Sequence, residues 1–304
     1  MSSPRADAAR IREHVERLGD RHPPVDLASA DYTINNPDAV GARFAEPLEY
    51  MARVEMEVER NVLELAVLLP GVSETDRMFY ADVWGPQEKH HGILLDTLGQ
   101  QLGMPPAEPD LEGLAPRIRV LGALAHLPVV HEVIRLMYYL TGAATEKSAM
   151  LAYQSMSDGL GQLGESAIKR TVIDAIKVQE PGHFAFYRLS AQEMVAAGAL
   201  APWQLHLTRF LRSKTFGLVG AKTREQRASF GSVVVELGLE DDIDRHVRDI
   251  TRVETQLLQA AEQGMDVPGY ALAAFREAAE LYRAKARRSG RVLGGPRIAL
   301  AAAA

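Results

Sequence analysis

Two copies of the pattern Glu-x-x-His contain the residues of this sequence that are best suited to chemistry. The first copy is Glu88 to His91, and the second is Glu180 to His183. Residues three apart on a helix lie on one face, about one turn from each other. Each copy can therefore direct a carboxylate and an imidazole toward a single point, as a bound metal ion requires.

Both copies lie among residues that are mainly apolar on the same helical face. Trp84 and Leu95 share the face of Glu88, and Ile176 shares the face of Glu180. An unpaired carboxylate is costly to bury, so proteins pair it or bind a metal to it. A single Glu-x-x-His is more often an exposed ion pair, but two copies on apolar faces favour a buried metal site.

Glu146 is the ligand predicted from a third helix. It precedes Glu180 by 34 residues (180 − 146), and the midpoint of that interval falls in the turn at 159–164. An antiparallel hairpin that folds at this turn would bring the two glutamates level with each other. Small residues share the face of Glu146, among them Gly142 and Ala149, and they would leave room for a metal ion or a substrate.

The ligand from the first long helix has to be selected among several glutamates. Glu55 precedes Glu88 by 33 residues (88 − 55), close to the interval in the other hairpin, whereas Glu59 precedes it by 29 (88 − 59). The interval favours Glu55, and Glu59 is left open as an alternative. Charged residues at spacings of four, three and four form a stripe that is expected to face water. They are Arg53, Glu57, Arg60 and Glu64.

The predicted metal ligands thus come from four helices. They are Glu55, Glu88, His91, Glu146, Glu180 and His183. One Glu from each of two helices and Glu-x-x-His from each of two others is the ligand plan of four-helix di-iron carboxylate proteins. Four carboxylates and two imidazoles nearly neutralise two divalent cations, and this ligand set suits two ferrous ions. The chain has no cysteine, which excludes thiolate ligands and disulfides.

The elements that must position these ligands are predicted to be helices, because apolar residues recur at helical spacing and no strand alternation is found. Helices are expected at about 5–19, 47–69, 73–102, 128–158 and 165–197, with three or more between 202 and 289. A proline-rich connection is expected between 103 and 116, so that two long hairpins form a bundle with one extended crossover. Pro86 and Pro181, beside the predicted ligands, are expected to kink their helices.

The chain is expected to divide into a bundle core and flanking segments. These are an N-terminal arm and loop at 1–44, the bundle core at 45–200, accessory helices at 201–289 and a tail at 290–304. The formal net charge of −6 argues against nucleic-acid binding, which usually needs a basic surface. No apolar run approaches the ~20 residues of a membrane-spanning helix, and the polar N-terminus does not resemble a signal peptide. A cytoplasmic location is therefore expected.

Segment 84–95 resembles the metal-binding segment of soluble acyl-carrier-protein desaturases, which are ferritin-like di-iron proteins. It reads Trp-Gly-Pro-Gln-Glu-Lys-His-His-Gly-Ile-Leu-Leu, and the family pattern is Trp-x-x-Glu-Glu-Asn-Arg-His-Gly-x-x-Leu. The resemblance covers about 45–195: segment 146–149 is similar to the family's third-helix Glu-Arg-Ala, and segment 54–55 to its first-helix Thr-Glu. Segment 179–183 reads Gln-Glu-Pro-Gly-His where the family has Asp-Glu-Lys-Arg-His, so Gln179 replaces an Asp that an electron path would use.

The resemblance implies a ferritin-like four-helix bundle with additional C-terminal helices, assembled as a homodimer. It implies that two ferrous ions and O2 desaturate an acyl chain held by acyl carrier protein, with electrons from a ferredoxin-type donor. Two other interpretations stay open. One is a di-iron N-oxygenase or hydroxylase of a small natural-product intermediate, and the other is a non-catalytic ferritin-like metal-binding protein.

A substrate cavity and a docking surface complete these expectations. The residues expected to line an apolar substrate cavity are Trp84, Tyr139, Met150, Tyr153, Phe184 and Tyr187. An acidic carrier protein would require basic residues near the mouth of that cavity. The candidates are Arg209, Arg212, Lys214, Lys222, Arg224 and Arg227.

Overall fold

The computed structural model describes residues 4–68, 72–111, 116–258, 264, 266–291 and 293 of the chain. Within these ranges every regular element is a helix, which confirms the predicted all-α class. The α-helices are α1 (Pro4–Arg21), α2 (Pro37–Met56), α3 (Val58–Leu68), α4 (Glu74–Met78), α5 (Gly85–Gln101), α6 (Pro116–Ala125), α7 (Pro128–Gln162), α8 (Ser166–Ile168), α9 (Asp174–Lys177), α10 (Glu180–Ala196), α11 (Pro202–Thr215), α12 (Arg224–Glu236), α13 (Ile243–Leu257) and α14 (Gly269–Arg288). Wider π-helical turns join α4 to α5 (Phe79–Trp84) and α8 to α9 (Lys169–Ile173), and 3-10 turns lie at Leu27–Ser29 and Leu239–Asp242.

Two helix pairs, α2 with α5 and α7 with α10, form the centre of the described structure. Each pair approaches closely at a glycine. A β-carbon at Gly92 would lie 3.0 Å from the backbone nitrogen of Met56, and one at Gly142 would lie 2.3 Å from the ring of Tyr187. Interiors at this packing density leave no room for a larger side chain. The two glycines therefore set the separation of the helices that carry the predicted ligands.

The start of the first long helix differs from the prediction. Helix α2 begins at Pro37, ten residues (47 − 37) before the expected start. The side chain of Asn36 accepts a hydrogen bond from the amide of Ala39, and Pro37 occupies the first turn, where its missing N–H is not needed. The sequence also missed α6, which begins at Pro116, where the proline-rich connection was expected to end.

The charged stripe that was expected to face water is buried at its centre, so that expectation was wrong. Glu57 is 1% exposed and Arg60 is 6% exposed. Glu57 lies at the break between α2 and α3, and its carboxylate pairs with Arg53 and with Arg60, each at 2.5 Å. Arg60 also donates to the backbone oxygen of Asp110 at 2.6 Å. The connection after α5 folds over these charges, and their opposite signs compensate each other in the buried position.

The helix around Pro86 continues through a π turn, whereas the helix around Pro181 is interrupted. Before α5 the amide of Gly85 donates to the oxygen of Tyr80, five residues earlier, and Pro86 then lies in the first turn of α5. Pro181 lies in the first turn of α10, after a turn that ends α9. The continuous helix predicted over 165–197 was therefore wrong, because a helix restarts where a proline lacks its N–H.

Four helices, α11 to α14, follow the two pairs, in agreement with the prediction of three or more. The ring of Phe230 on α12 lies 5.5 Å from the ring of Tyr50 on α2 and 5.2 Å from the ring of Phe275 on α14. Helix α13 packs along α7. Among the described residues no helix is long and apolar enough to cross a bilayer. Nearly all of the predicted tail, 290–304, lies outside the described residues.

Candidate metal centre

The six predicted ligands lie together between the two helix pairs. Their carboxylate and imidazole atoms form two overlapping groups, and the atoms of each group lie within 4.8 Å of one another. The groups are Glu55, Glu88, His91 and Glu180, and Glu88, Glu146, Glu180 and His183. Glu88 and Glu180 belong to both. The arrangement therefore offers two neighbouring positions for a cation, with these two glutamates between them.

The shortest contacts cross between the two copies of Glu-x-x-His. Nδ1 of His183 lies 2.9 Å from Oε1 of Glu88, and Nδ1 of His91 lies 3.3 Å from Oε1 of Glu180. All four side chains are buried. Each imidazole thus faces the carboxylate of the other copy, and the two motifs form one site.

A glutamine orients each imidazole from outside the cluster. Nε2 of His91 donates to Oε1 of Gln179 at 2.7 Å, and Nε2 of His183 donates to Oε1 of Gln87 at 2.5 Å. The amide nitrogens of the two glutamines donate to backbone oxygens. That of Gln179 donates to the oxygen of Pro23 at 2.7 Å, and that of Gln87 donates to the oxygen of His22. Since a carbonyl only accepts, each glutamine oxygen must face its imidazole. Nε2 therefore carries a proton whether the imidazole is neutral or cationic, and Nδ1 is the nitrogen that would bind a cation in the neutral form.

With the imidazoles neutral, four buried atoms at the centre make no hydrogen bond within the described part of the chain. They are Oε1 of Glu88, Oε1 of Glu180, Nδ1 of His91 and Nδ1 of His183. Buried polar atoms without a partner are rare in folded proteins, and each one calls for an explanation such as an ion. Two divalent cations would satisfy all four, so the residues present fit a two-metal centre.

Comparison with protein-family models, with curated proteins and with solved structures gave no similar protein. The resemblance to acyl-carrier-protein desaturases therefore rests on the sequence motifs alone, and the interpretation of the site rests on its own geometry.

Burial and mutual charge divide the carboxylates of the metal-free cluster into two classes. Burial raises the pKa of Glu146 to about 8, and burial together with the charge of Glu88 raises the pKa of Glu55 well above its usual range. Burial alone would also raise the pKa values of Glu88 and Glu180, but contacts with both histidines, and for Glu88 with Glu55, lower them. Without metal, the protonated form is therefore favoured at Glu55 and Glu146, and the ionised form at Glu88 and Glu180.

At the two histidines burial lowers the pKa, and the negative charge of the neighbouring glutamates raises it. Burial would lower the pKa of His91, but Glu180 and Glu88 outweigh it and raise the value to about 9. Burial opposes the same change at His183, whose pKa is raised well above its usual range by the surrounding glutamates. Both imidazoles are therefore cationic in the metal-free cluster at neutral pH.

The first-helix glutamate of the cluster is Glu55. Its Oε1 accepts a hydrogen bond from the hydroxyl of Tyr153 at 2.6 Å. The alternative, Glu59, has a side chain that is 70% exposed and lies 3.4 Å from Lys89 at the surface. The helical break at Glu57 separates the two residues, with Glu55 on α2 and Glu59 on α3.

A cavity of ≈ 110 Å³ opens onto the cluster, and four of its lining residues are the cluster glutamates. Of the six residues predicted to contact substrate, Trp84 lines this cavity, and its indole donates to Oε1 of Glu146 at 3.3 Å. The other five lie outside the lining: Tyr139, Met150, Tyr153, Phe184 and Tyr187. Tyr139 donates to Asp76 at 2.6 Å, and contact of these five with a substrate stays a prediction.

One candidate for the basic docking surface is buried, which makes that assignment wrong. Arg212 is 3% exposed, and it donates to Oε2 of Glu254 through Nε at 3.0 Å and through Nη2 at 2.6 Å. Its remaining nitrogen donates to the hydroxyl of Thr141 at 2.8 Å. Two other candidates are paired, Lys222 with Asp110 and Arg227 with an acidic residue of α14. A docking role for the rest stays a prediction.

Sequence reasoning missed two groups of residues that shape the site. Gln87 and Gln179 each precede a cluster glutamate, so the repeated unit is Gln-Glu-x-x-His, and that longer repeat was the available signal. The apolar far wall of the cavity comes from α12, α13 and α14, more than 130 residues (230 − 91) along the chain from the first motif. No spacing rule links such distant segments.

Proposed function

We propose that this chain is an O2-dependent oxidoreductase that holds two ferrous ions in the buried cluster. The observation that carries the proposal is the set of two overlapping ligand groups that share Glu88 and Glu180. Carboxylate oxygens with one imidazole at each position suit iron or manganese, and the chain has no cysteine that would favour a structural zinc site.

The residues of the chain have separate tasks in this proposal. The six cluster side chains would hold the metal ions, whose chemistry is the activation of O2 for removal of hydrogen from an unreactive carbon. Gln87 and Gln179 fix the imidazoles, while Tyr153 and Trp84 hold the carboxylates of Glu55 and Glu146. The apolar wall of the cavity excludes water from the space beside the glutamates.

The substrate and architecture follow from the resemblance to acyl-carrier-protein desaturases. We infer desaturation of a carrier-bound acyl chain or a closely related intermediate, electrons from a ferredoxin-type donor, a homodimer and a cytoplasmic location. The pairs α2 with α5 and α7 with α10 support a ferritin-like bundle, because the ligands come from all four helices, as in the di-iron carboxylate plan. The π turns that precede both Glu-x-x-His helices support a functional site at this place, since such turns concentrate there.

Iron content after anaerobic reconstitution tests the proposal directly. About two iron ions per chain are expected in the unaltered protein. Glu180→Ala should abolish iron loading with the helical circular dichroism spectrum retained, because Glu180 belongs to both positions. Glu59→Ala is the matched control, since it removes an exposed glutamate from the neighbouring helix and should load normally. Normal iron content in Glu180→Ala would refute the site.

A change in the optical spectrum of the iron-loaded protein on exposure to O2, followed by product analysis with candidate substrates, tests the reaction. An alkene product supports desaturation, and an oxygenated product supports the N-oxygenase or hydroxylase alternative. Iron loading with no oxidation of any candidate substrate would favour the non-catalytic metal-binding alternative.

A further inference from the structure

The far end of the cavity is built by the C-terminal helices. Its apolar wall there comes mainly from Phe216, Phe230, Val233, Leu239, Ile250 and Phe275. The near end comes mainly from α2 and α7, and it includes the four cluster glutamates, of which Glu88 lies on α5 and Glu180 on α10. A molecule in the cavity would therefore contact α12 to α14 on one side and the metal positions on the other.

Several polar groups of the lining, apart from the cluster glutamates, are already engaged. Arg212 is the one cationic side chain in the described lining, and all of its hydrogen-bonding nitrogens go to Glu254 and Thr141. Thr145 donates to the backbone oxygen of Thr141 at 2.9 Å. The hydroxyl of Tyr50 donates to a backbone oxygen in the loop at 216–219. A negatively charged group placed in this cavity would therefore lose its hydration without gaining a free cationic partner in the described lining.

The size of the cavity limits the part of a molecule that enters it. One water needs roughly 10–15 Å³ on this scale, so the cavity holds roughly eight to ten non-hydrogen atoms. A fatty acyl chain of sixteen or more carbons would exceed that capacity. Gly217 lines the cavity and is exposed at the surface, so the loop at 216–219 lies at its outer end.

We infer that α12 to α14 form the substrate-recognition unit, and that the cavity binds a compact apolar group of roughly ten non-hydrogen atoms, without a negative charge, beside the metal positions. Calling the bound group a substrate rests on the proposed function, but the binding of that group does not require iron. It points to a small hydrocarbon or aromatic portion as the group that reacts, in place of a long acyl chain.

The test uses the full-length chain without metal, so that its outcome is independent of iron loading. The chain has two tryptophans, Trp84 in the cavity lining and Trp203, which is 50% exposed. In a Trp203→Phe background, the fluorescence of Trp84 alone reports a ligand beside the cluster. The probes are p-cymene, its charged analogue 4-isopropylbenzoate, and palmitate below its micellar concentration.

We expect saturable binding of one p-cymene per chain. 4-Isopropylbenzoate should bind at least roughly tenfold more weakly, because its charge would be buried without a partner, and palmitate should bind no more tightly than p-cymene. Equal affinity for the charged analogue, or tighter binding of palmitate, would overturn the inference.

A pair of identical substitutions locates the binding. Leu218→Phe adds bulk to a cavity-lining loop residue and should weaken p-cymene binding at least roughly tenfold. Leu63→Phe makes the same change at a side chain on α3 that is 51% exposed and outside the lining, and should leave binding unchanged. Equal effects of the two substitutions would place the ligand elsewhere and overturn the inference. Failure of iron loading with this binding pattern intact would refute the proposed function alone.

Discussion

Metal binding to the cluster should release about four protons for each pair of divalent cations bound at pH 7. The groups with raised pKa values in the metal-free cluster are Glu55, Glu146, His91 and His183. Glu146 and His91 therefore hold protons at pH 7, and the raised pKa values of Glu55 and His183 favour their protonated forms, whereas the lowered values of Glu88 and Glu180 favour the ionised form. The six groups then carry two positive and two negative charges. Two divalent cations require four ionised carboxylates and two neutral imidazoles, so the four protons must leave.

The dependence on pH follows from the same values. Proton release is largest below pH 8 and decreases as the pH rises through about 8, where Glu146 loses its proton, and through about 9, where His91 does. The apparent affinity for divalent cations should increase as the pH rises. While all four groups are protonated, the increase for the pair of ions is up to about four powers of ten per pH unit.

Isothermal titration calorimetry measures the number of protons released. Mn²⁺ is the metal used, because it is not oxidised by air during the titration. Titrations in buffers with different ionisation enthalpies give the number from the slope of the observed enthalpy. Glu146→Gln removes one of the four titrating groups and should lower the number to about three for the same two ions. A release of one proton or none in the unaltered chain would contradict the charge distribution described above.

Three further substitutions test the packing and the support of the site. Gln179→Ala removes the acceptor that orients one imidazole and should weaken Mn²⁺ binding by about 10- to 100-fold, whereas Gln100→Ala, on the exposed end of α5, should not. Gly142→Val places a side chain where a β-carbon already lies 2.3 Å from a tyrosine ring, and urea denaturation should show a loss of about 1–3 kcal/mol. Arg212→Met leaves Glu254 buried and unpaired at a cost of about 3–5 kcal/mol, and Glu254→Leu in the same chain should recover most of it.

Local spacing explains how much of the centre could be predicted from sequence. Glu88 and His91 share a helical face by their separation of three, and the hairpin interval placed Glu146 level with Glu180. The structure brings these side chains together because helices convert residue number into position almost linearly. The helical class was predictable for the same reason.

Features that depend on contacts between distant segments could not be predicted. Glu57 and Arg60 have the spacing of an exposed ion pair, and only the fold of the connection after α5 buries them. Arg212 read as a surface cation, and its burial depends on Glu254, 42 residues away (254 − 212). The segment that makes burial possible is distant in each case, the connection after α5 for Glu57 and Arg60 and another helix for Arg212, so the hydrophobic pattern of the helix itself gives no signal.

The crossed hydrogen bonds of the centre have a consequence for how it assembles. Gln87, on the helix of the first motif, orients the imidazole of the second, and Gln179, just before the second, orients that of the first. Neither motif can therefore present its nitrogen correctly while the two helix pairs are apart. Both glutamines are anchored in turn by backbone oxygens at 22–23, in the segment after α1. Packing of this N-terminal segment against α5 and α10 thus belongs to the formation of the metal centre, although the segment provides no ligand.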